Sequence, residues 1–138
     1  MTGSSRQGMP IYHLDGYFDA GVHHYHLRVQ FEDTDAGGIV YHAQYLAFAE
    51  RARSSWLRCL GIDQPDLLAG DGVGFIVRHI DIDFLRVASL ASILEITSEV
   101  LKTGGASLKL RQTITNMQSC LIVARLVVDI GFVDFRMT

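Results

Sequence analysis

Glu32-Asp33-Thr34-Asp35-Ala36-Gly37-Gly38-Ile39-Val40-Tyr41-His42 is the stretch on which the reading of this chain turns. Upstream of it, Tyr25, Leu27, Val29 and Phe31 alternate with His26, Arg28 and Gln30, the two-residue period of a half-buried strand. Downstream, Tyr45, Leu46, Ala49, Ala52, Trp56, Leu57 and Leu60 recur at three- and four-residue steps. Gln44, Glu50, Arg51, Arg53, Ser54 and Arg58 fall mostly between them. That pattern predicts an amphipathic helix of roughly 18–20 residues, about 28 Å long, with Gly61 placed to stop it as the C′ residue. The eleven residues therefore join a strand to a helix. They carry two close carboxylates, a glycine pair for a tight turn, and a fresh helix N-terminus.

The rest of the chain says what surrounds this joint. Asp63-Gln64-Pro65-Asp66-Leu67-Leu68 reads as a short capped helical turn with proline in its first turn, closed by Gly70, Gly72 and Gly74. Four strand patterns follow. Ile80, Ile82 and Phe84 alternate with Asp81 and Asp83, and Leu94, Ile96 and Val100 with Glu95, Thr97 and Glu99. Leu108, Leu110 and Ile114 then alternate with Lys109, Arg111 and Thr113, and Ile122 to Ile130 repeat the pattern. Thr103-Gly104-Gly105 and Asn116-Met117-Gln118-Ser119 are hairpin turns. Pro10 and Pro65 both lie outside the strands, as uninterrupted ladders require. One long helix with one apolar stripe is covered by one curved sheet, so the fold class is α+β. The Gly- and Ser-rich residues 1–22 read as a flexible extension, and 23–138 as a single domain.

Composition narrows the partners. The formal charge is −3, which argues against nucleic acid, because phosphate binding wants a basic face. No apolar run is long enough to span a bilayer, and the N-terminal stretch lacks the pattern of a secretory signal. Cys59 and Cys120 are far apart with no CxxC pattern, so two reduced thiols in a cytoplasmic protein are expected. His23, His24 and His26 have no acidic or cysteine partner in the pattern. They read as solvent-facing side chains on an edge strand, and no metal is expected.

The loop itself points to carbonyl chemistry. A carboxylate beside preorganised helix N–H donors is what attack on an activated carbonyl needs. Asp35 reads either as the acting carboxylate or as a plain N-cap, and Asp33 as a turn former. Asp33-Thr34-Asp35 also mimics the DxD of Mg²⁺-dependent phosphatases of the haloacid-dehalogenase type. Those need a doubly wound domain that this meander does not supply.

The arrangement strand–EDTDAGGIVYHAQYLAFAERAR–helix–meander resembles the hotdog-fold acyl-CoA thioesterases of the 4-hydroxybenzoyl-CoA thioesterase family. Within them it is most similar to the Tol-Pal system-associated acyl-CoA thioesterases. The likeness runs from about His24 to about Val133 and is strongest over Asp33–Arg53 and Gly74–Arg78. It implies a hotdog fold, one long helix wrapped by an antiparallel sheet of five to six strands, and hydrolysis of acyl-CoA to free acid and CoA without a cofactor. It implies Asp35 as the catalytic carboxylate and His42 as the residue whose backbone N–H polarises the thioester carbonyl. Gly38, Val40, Tyr41 and Tyr45 become candidates for the oxyanion and substrate site. Glu50 is a secondary candidate whose surface ion-pair reading is preferred, and Arg78, Lys102 and Lys109 are candidates for the CoA phosphates. The resemblance further implies a homodimer or tetramer with sites at the subunit interface, and a place in the cytoplasm or at the inner membrane's periphery. Acyl carrier protein is the alternative partner to CoA, and a non-catalytic acyl-CoA or acyl-carrier-protein binding module is the alternative function. Two departures are visible: Phe84-Leu85-Arg86-Val87-Ala88-Ser89 lacks the family's proline-containing bend, and no basic, proline-bearing tail follows the last strand.

Overall fold

The computed structural model describes residues 12–137. A 3₁₀ turn, Tyr12–Asp15, leads into β1 (Tyr17–Asp19) and β2 (Val22–Arg28). After the loop come α1 (Gln44–Cys59) and α2 (Gln64–Asp71). The meander follows as β3 (Val73–Phe84), β4 (Ile93–Thr103), β5 (Ser107–Asn116) and β6 (Leu121–Asp134). The six strands form one antiparallel sheet in the order β1-β2-β4-β5-β6-β3. This is the α+β architecture expected from the pattern, with the sheet at its upper strand count.

The core lies between α1 and one face of the sheet. Leu94 and Ile96 of β4, Leu110 and Ile114 of β5, and Leu126 and Val128 of β6 are at most 1% exposed. They face Tyr45, Phe48, Ala49, Ala52, Trp56 and Leu57 of α1, all buried. The small Ala49 and Ala52 let the helix approach the sheet closely, while Phe48 and Trp56 fill the space beside them. At 16 residues α1 is shorter than the apolar period suggested. It ends at Leu60, where Gly61 takes the left-handed conformation (φ +81°) that a C′ position favours. Leu60 is half exposed rather than core. Asp63 caps α2 as expected, its carboxylate accepting from the Asp66 N–H at 3.1 Å.

Three expectations are corrected. Phe31 does not continue β2: the strand ends at Arg28, and Phe31 lies 80% exposed on a second 3₁₀ turn, Phe31–Asp33. The described part of the 1–22 extension is built into the fold, because β1 pairs with β2 through Tyr17↔His24 and Asp19↔Val22; residues 1–11 lie outside the described residues. β2 is consequently not the edge strand, and the three histidines do not all face solvent. His23 is fully buried on the helix side, with Nε2 at 2.6 Å from the Asp15 carbonyl, and burial pulls its pKa down. His24 and His26 lie on the outer face, both at hydrogen-bond distance from Glu95 Oε2, 3.0 and 2.9 Å, with Tyr17 stacked over them.

Candidate active site

The loop between β2 and α1 is held rigid before any chemistry is considered. Thr34 and Val40 form an antiparallel bridge, and Gly38 N–H donates to the Asp35 carbonyl at 3.0 Å, closing a tight turn. Gly38 sits at φ +76°, a conformation that costs a side-chain-bearing residue about 1 kcal/mol or more. The turn is strapped to the segment after β3. Val40 N–H donates to the Ala88 carbonyl at 2.8 Å, and Leu90 N–H to the Gly38 carbonyl at 3.1 Å.

Within this frame the two carboxylates separate. Asp33 is 2% exposed, and its oxygens accept from the Gln30 N–H at 2.8 Å and the Gln44 side-chain amide at 2.9 Å. Its carbonyl accepts the Tyr41 N–H at 3.1 Å. Asp33 thus ties the strand end to the first helical residue. Asp35 is exposed: Oδ1 accepts from the Gly37 N–H at 2.9 Å, and Oδ2 has no partner among the described residues.

Helix α1 starts without a side-chain cap. Its N-cap is Ala43, and Gln44 N–H turns back to the Tyr41 carbonyl. The N–H groups of His42 and Ala43 make no hydrogen bond to any described residue. Donors left over at a helix start, at the positive end of the dipole, form a seat for an oxyanion. Of the oxyanion and substrate candidates, Gly38, Val40 and Tyr41 have their N–H groups taken within the protein, which corrects Tyr41 as a donor, while Val40 and Tyr41 remain in the lining of the cleft described next.

Asp35, Tyr41, His42 and Tyr45 line one open cleft of about 380 Å³, walled opposite by Phe84, Leu85, Arg86 and Val87. His42 is exposed, and its ring contacts Tyr41 at 4.6 Å and Phe84 edge-on at 5.9 Å. Tyr45 is buried, and its hydroxyl accepts from the Ala88 N–H at 3.2 Å. Burial pushes the Tyr45 phenol above its ordinary value.

The other candidates do not join this cleft. Glu50 lies exposed two turns along α1, facing a different groove and making no ion pair among the described residues. That also corrects its expected pairing with Arg51 or Arg53. Lys102 and Lys109 face each other across β4 and β5, and Lys109 lies 3.6 Å from Asp129. Asp129 in turn pairs with His79 in register, beside Arg78 at the β3 bulge. This row meets β3 five residues from Phe84, about 17 Å along the strand. Arg86, whose Nη1 donates to the Ile122 carbonyl at 2.7 Å, is the cation that does line the cleft. Sequence reasoning passed over it because only its position after Phe84, the last residue of β3, distinguishes it.

A family model for the thioesterase superfamily matches residues 37–121. The chain belongs to the thioesterase superfamily. Among curated thioesterases, the acyl-CoA thioesterase YbgC of Haemophilus influenzae is 40% identical over 108 residues, covering 78% of this chain and 78% of that protein. The acyl-CoA thioester hydrolase YbgC of Escherichia coli O157:H7 is 44% identical over 96 residues, covering 70% and 71%. A crystal structure of a probable thioesterase from Bartonella henselae superposes with a TM-score of 0.78 at 32% identity, covering 85% of this chain and 95% of that one. The hotdog thioesterase fold read from the sequence is therefore the fold of this chain.

Proposed function

We propose that this protein hydrolyses acyl-CoA thioesters, with Asp35 as the catalytic carboxylate and the His42 and Ala43 N–H groups as the oxyanion seat. The observation that carries the reading is the placement of Asp35 beside an uncapped helix start in a single cleft. Named acyl-CoA thioesterases at 40–44% identity support the substrate class.

The chemistry follows from these groups. The carboxylate of Asp35 either attacks the thioester carbonyl carbon directly, giving an anhydride that water then opens, or removes a proton from the attacking water. On either route the carbonyl oxygen gains negative charge, which the helix N–H groups stabilise, and the C–S bond breaks to release CoA thiolate, which takes up a proton. Tyr45, Phe84, Leu85 and Val87 supply an apolar wall for the acyl group, and Arg86 a positive charge at the rim for a phosphate of the nucleotide. The His42 side chain lies where it can orient water or meet the leaving thiol.

The sheet order leaves β3 as a twelve-residue edge with Ile76, Val77 and Phe84 exposed. Pairing of this edge with a second copy fits a homodimer, and it would bring the partner's basic strand residues toward the cleft. A cytoplasmic setting fits the two free cysteines.

The test is thiol release from a panel of acyl-CoAs by wild type and by Asp35→Asn. Turnover is expected for wild type and is largely lost in the variant. Equal rates in both would remove Asp35 from the mechanism. Binding without release across the panel would make the protein an acyl-CoA or acyl-carrier-protein binding module instead.

A further inference from the structure

Asp33 is a buried carboxylate that no cation meets among the described residues. Its two partners are neutral: the Gln30 N–H on Oδ2 at 2.8 Å, and the Gln44 side-chain amide on Oδ1 at 2.9 Å. An anion so placed gains from each donor it keeps and from the positive end of a helix dipole. That end lies beside it. The Asp33 carbonyl accepts the Tyr41 N–H at 3.1 Å, which sets the residue against the turn that opens α1.

Gln44 is the first residue of α1, and its backbone and side-chain amides point to different acceptors. The backbone N–H turns back to the Tyr41 carbonyl at 2.8 Å, whereas the side chain reaches across to Asp33. A carboxylate only accepts, so the nitrogen end of the Gln44 amide must face it. Anions at a helix start ordinarily take backbone N–H groups. Here a side-chain amide stands in for them. The His42 and Ala43 N–H groups of the same turn are left without a described partner.

We propose that Gln44 is a positioning residue. By giving Asp33 a donor of its own, it holds that carboxylate off the His42 and Ala43 N–H groups and keeps them open for the thioester oxygen. The link to turnover rests on the reading of those groups as the oxyanion seat; the competition for donors does not. Without the Gln44 amide, Oδ1 of Asp33 is a buried acceptor lacking a donor, and the unclaimed N–H groups of the same turn supply one. Asp33 stays anchored through Oδ2, so the exchange needs only a turn of its side chain. The seat then holds a protein carboxylate before substrate arrives, and a fixed negative charge faces the oxygen on which negative charge develops. A Gln44 that merely tied loop to helix would behave differently. Its loss would loosen the turn, and the amides there would exchange with solvent as fast as before or faster.

The test measures water–amide exchange by NMR on the isotope-labelled full chain, beside thiol release from the acyl-CoA that wild type turns over fastest. In Gln44→Leu the His42 and Ala43 amides should exchange at least about tenfold more slowly than in wild type. Turnover should fall about 10- to 100-fold, the effect of blocking oxyanion donors. Adding Asp33→Ala removes the competing carboxylate, so the two amides speed up again and kcat recovers about tenfold, although this double variant melts lower. Where the double variant does not fold, the single variant decides alone. Unchanged or faster exchange at both amides in Gln44→Leu overturns the proposal, whatever happens to kcat. Slower exchange with kcat unchanged overturns the oxyanion seat and with it the role given to Gln44. A wild type that releases no thiol sinks the thioesterase reading only, and the exchange rates still decide whether Gln44 keeps the two N–H groups open.

Discussion

Asp33 is 2% exposed and Asp35 lies open to the cleft, though only Thr34 separates them. The Asp33 carboxylate is met by a backbone N–H and a side-chain amide, whereas among the described residues Asp35 is held through one oxygen only. The contrast teaches how a short loop divides its charges. A carboxylate whose oxygens are both answered inside the protein fixes geometry, and one with an oxygen to spare is available to a substrate.

The comparison breaks most sharply at Asp35. Asp35→Asn keeps the bond from the Gly37 N–H, so the thermal midpoint should barely move, while kcat falls about 10²- to 10⁴-fold. Asp33→Ala should do the reverse, costing about 3 kcal/mol in denaturant melts because the Gln30 N–H and Gln44 amide lose their acceptor. A stable but inactive Asp33→Ala alongside an active Asp35→Asn would exchange the two roles. Tyr45→Phe is a smaller test of the frame: it removes the acceptor of the Ala88 N–H and should cost about 1 kcal/mol, with a larger effect on KM than on kcat.

The histidines repeat the contrast at the smallest scale. His42 is exposed in the cleft, while His23 is buried and its Nδ1 has no partner among the described residues. Burial holds the His23 pKa below the ordinary 6.5, so the unfolded chain takes up its proton first as pH falls. The stability His23 contributes is intact above about pH 6.5 and drains away below it, toward the lowered folded-state value. Unfolding measured from pH 7.5 to 5 should show this slope, and His23→Gln should flatten it. An unchanged slope would mean that other groups set the acid limit.

Much of this was legible in the sequence wherever the cause is local. The change of period around Gly37-Gly38 located β2 and α1, and Asp63-Gln64-Pro65 announced α2. The reading of Asp33 as a turn former agrees with its burial and its two donors. What escaped depends on distant partners. β1 is only three residues long, too short for a period, and its pairing with β2 is what removes His23 from solvent. Arg53 occupies a polar step of the helix, and its burial is set by Gln112, 59 residues away on β5. The expected donor Tyr41 was lost to the Asp33 carbonyl, a contact that no spacing rule contains.

The bare start of α1 carries a consequence for engineering. A standard route to a sturdier protein is to install Ser or Asp at an uncapped helix N-terminus, a change that commonly adds about 1 kcal/mol. Here that position is Ala43: a side-chain oxygen there would accept from the Tyr45 or Leu46 N–H, and a carboxylate would set a negative charge beside the open His42 and Ala43 N–H groups. A stabilising library screened on melting temperature alone would favour an Asp cap, whose charge, on the proposed mechanism, opposes the one that develops on the thioester oxygen. The weakest helix end in this fold is a place to leave untouched.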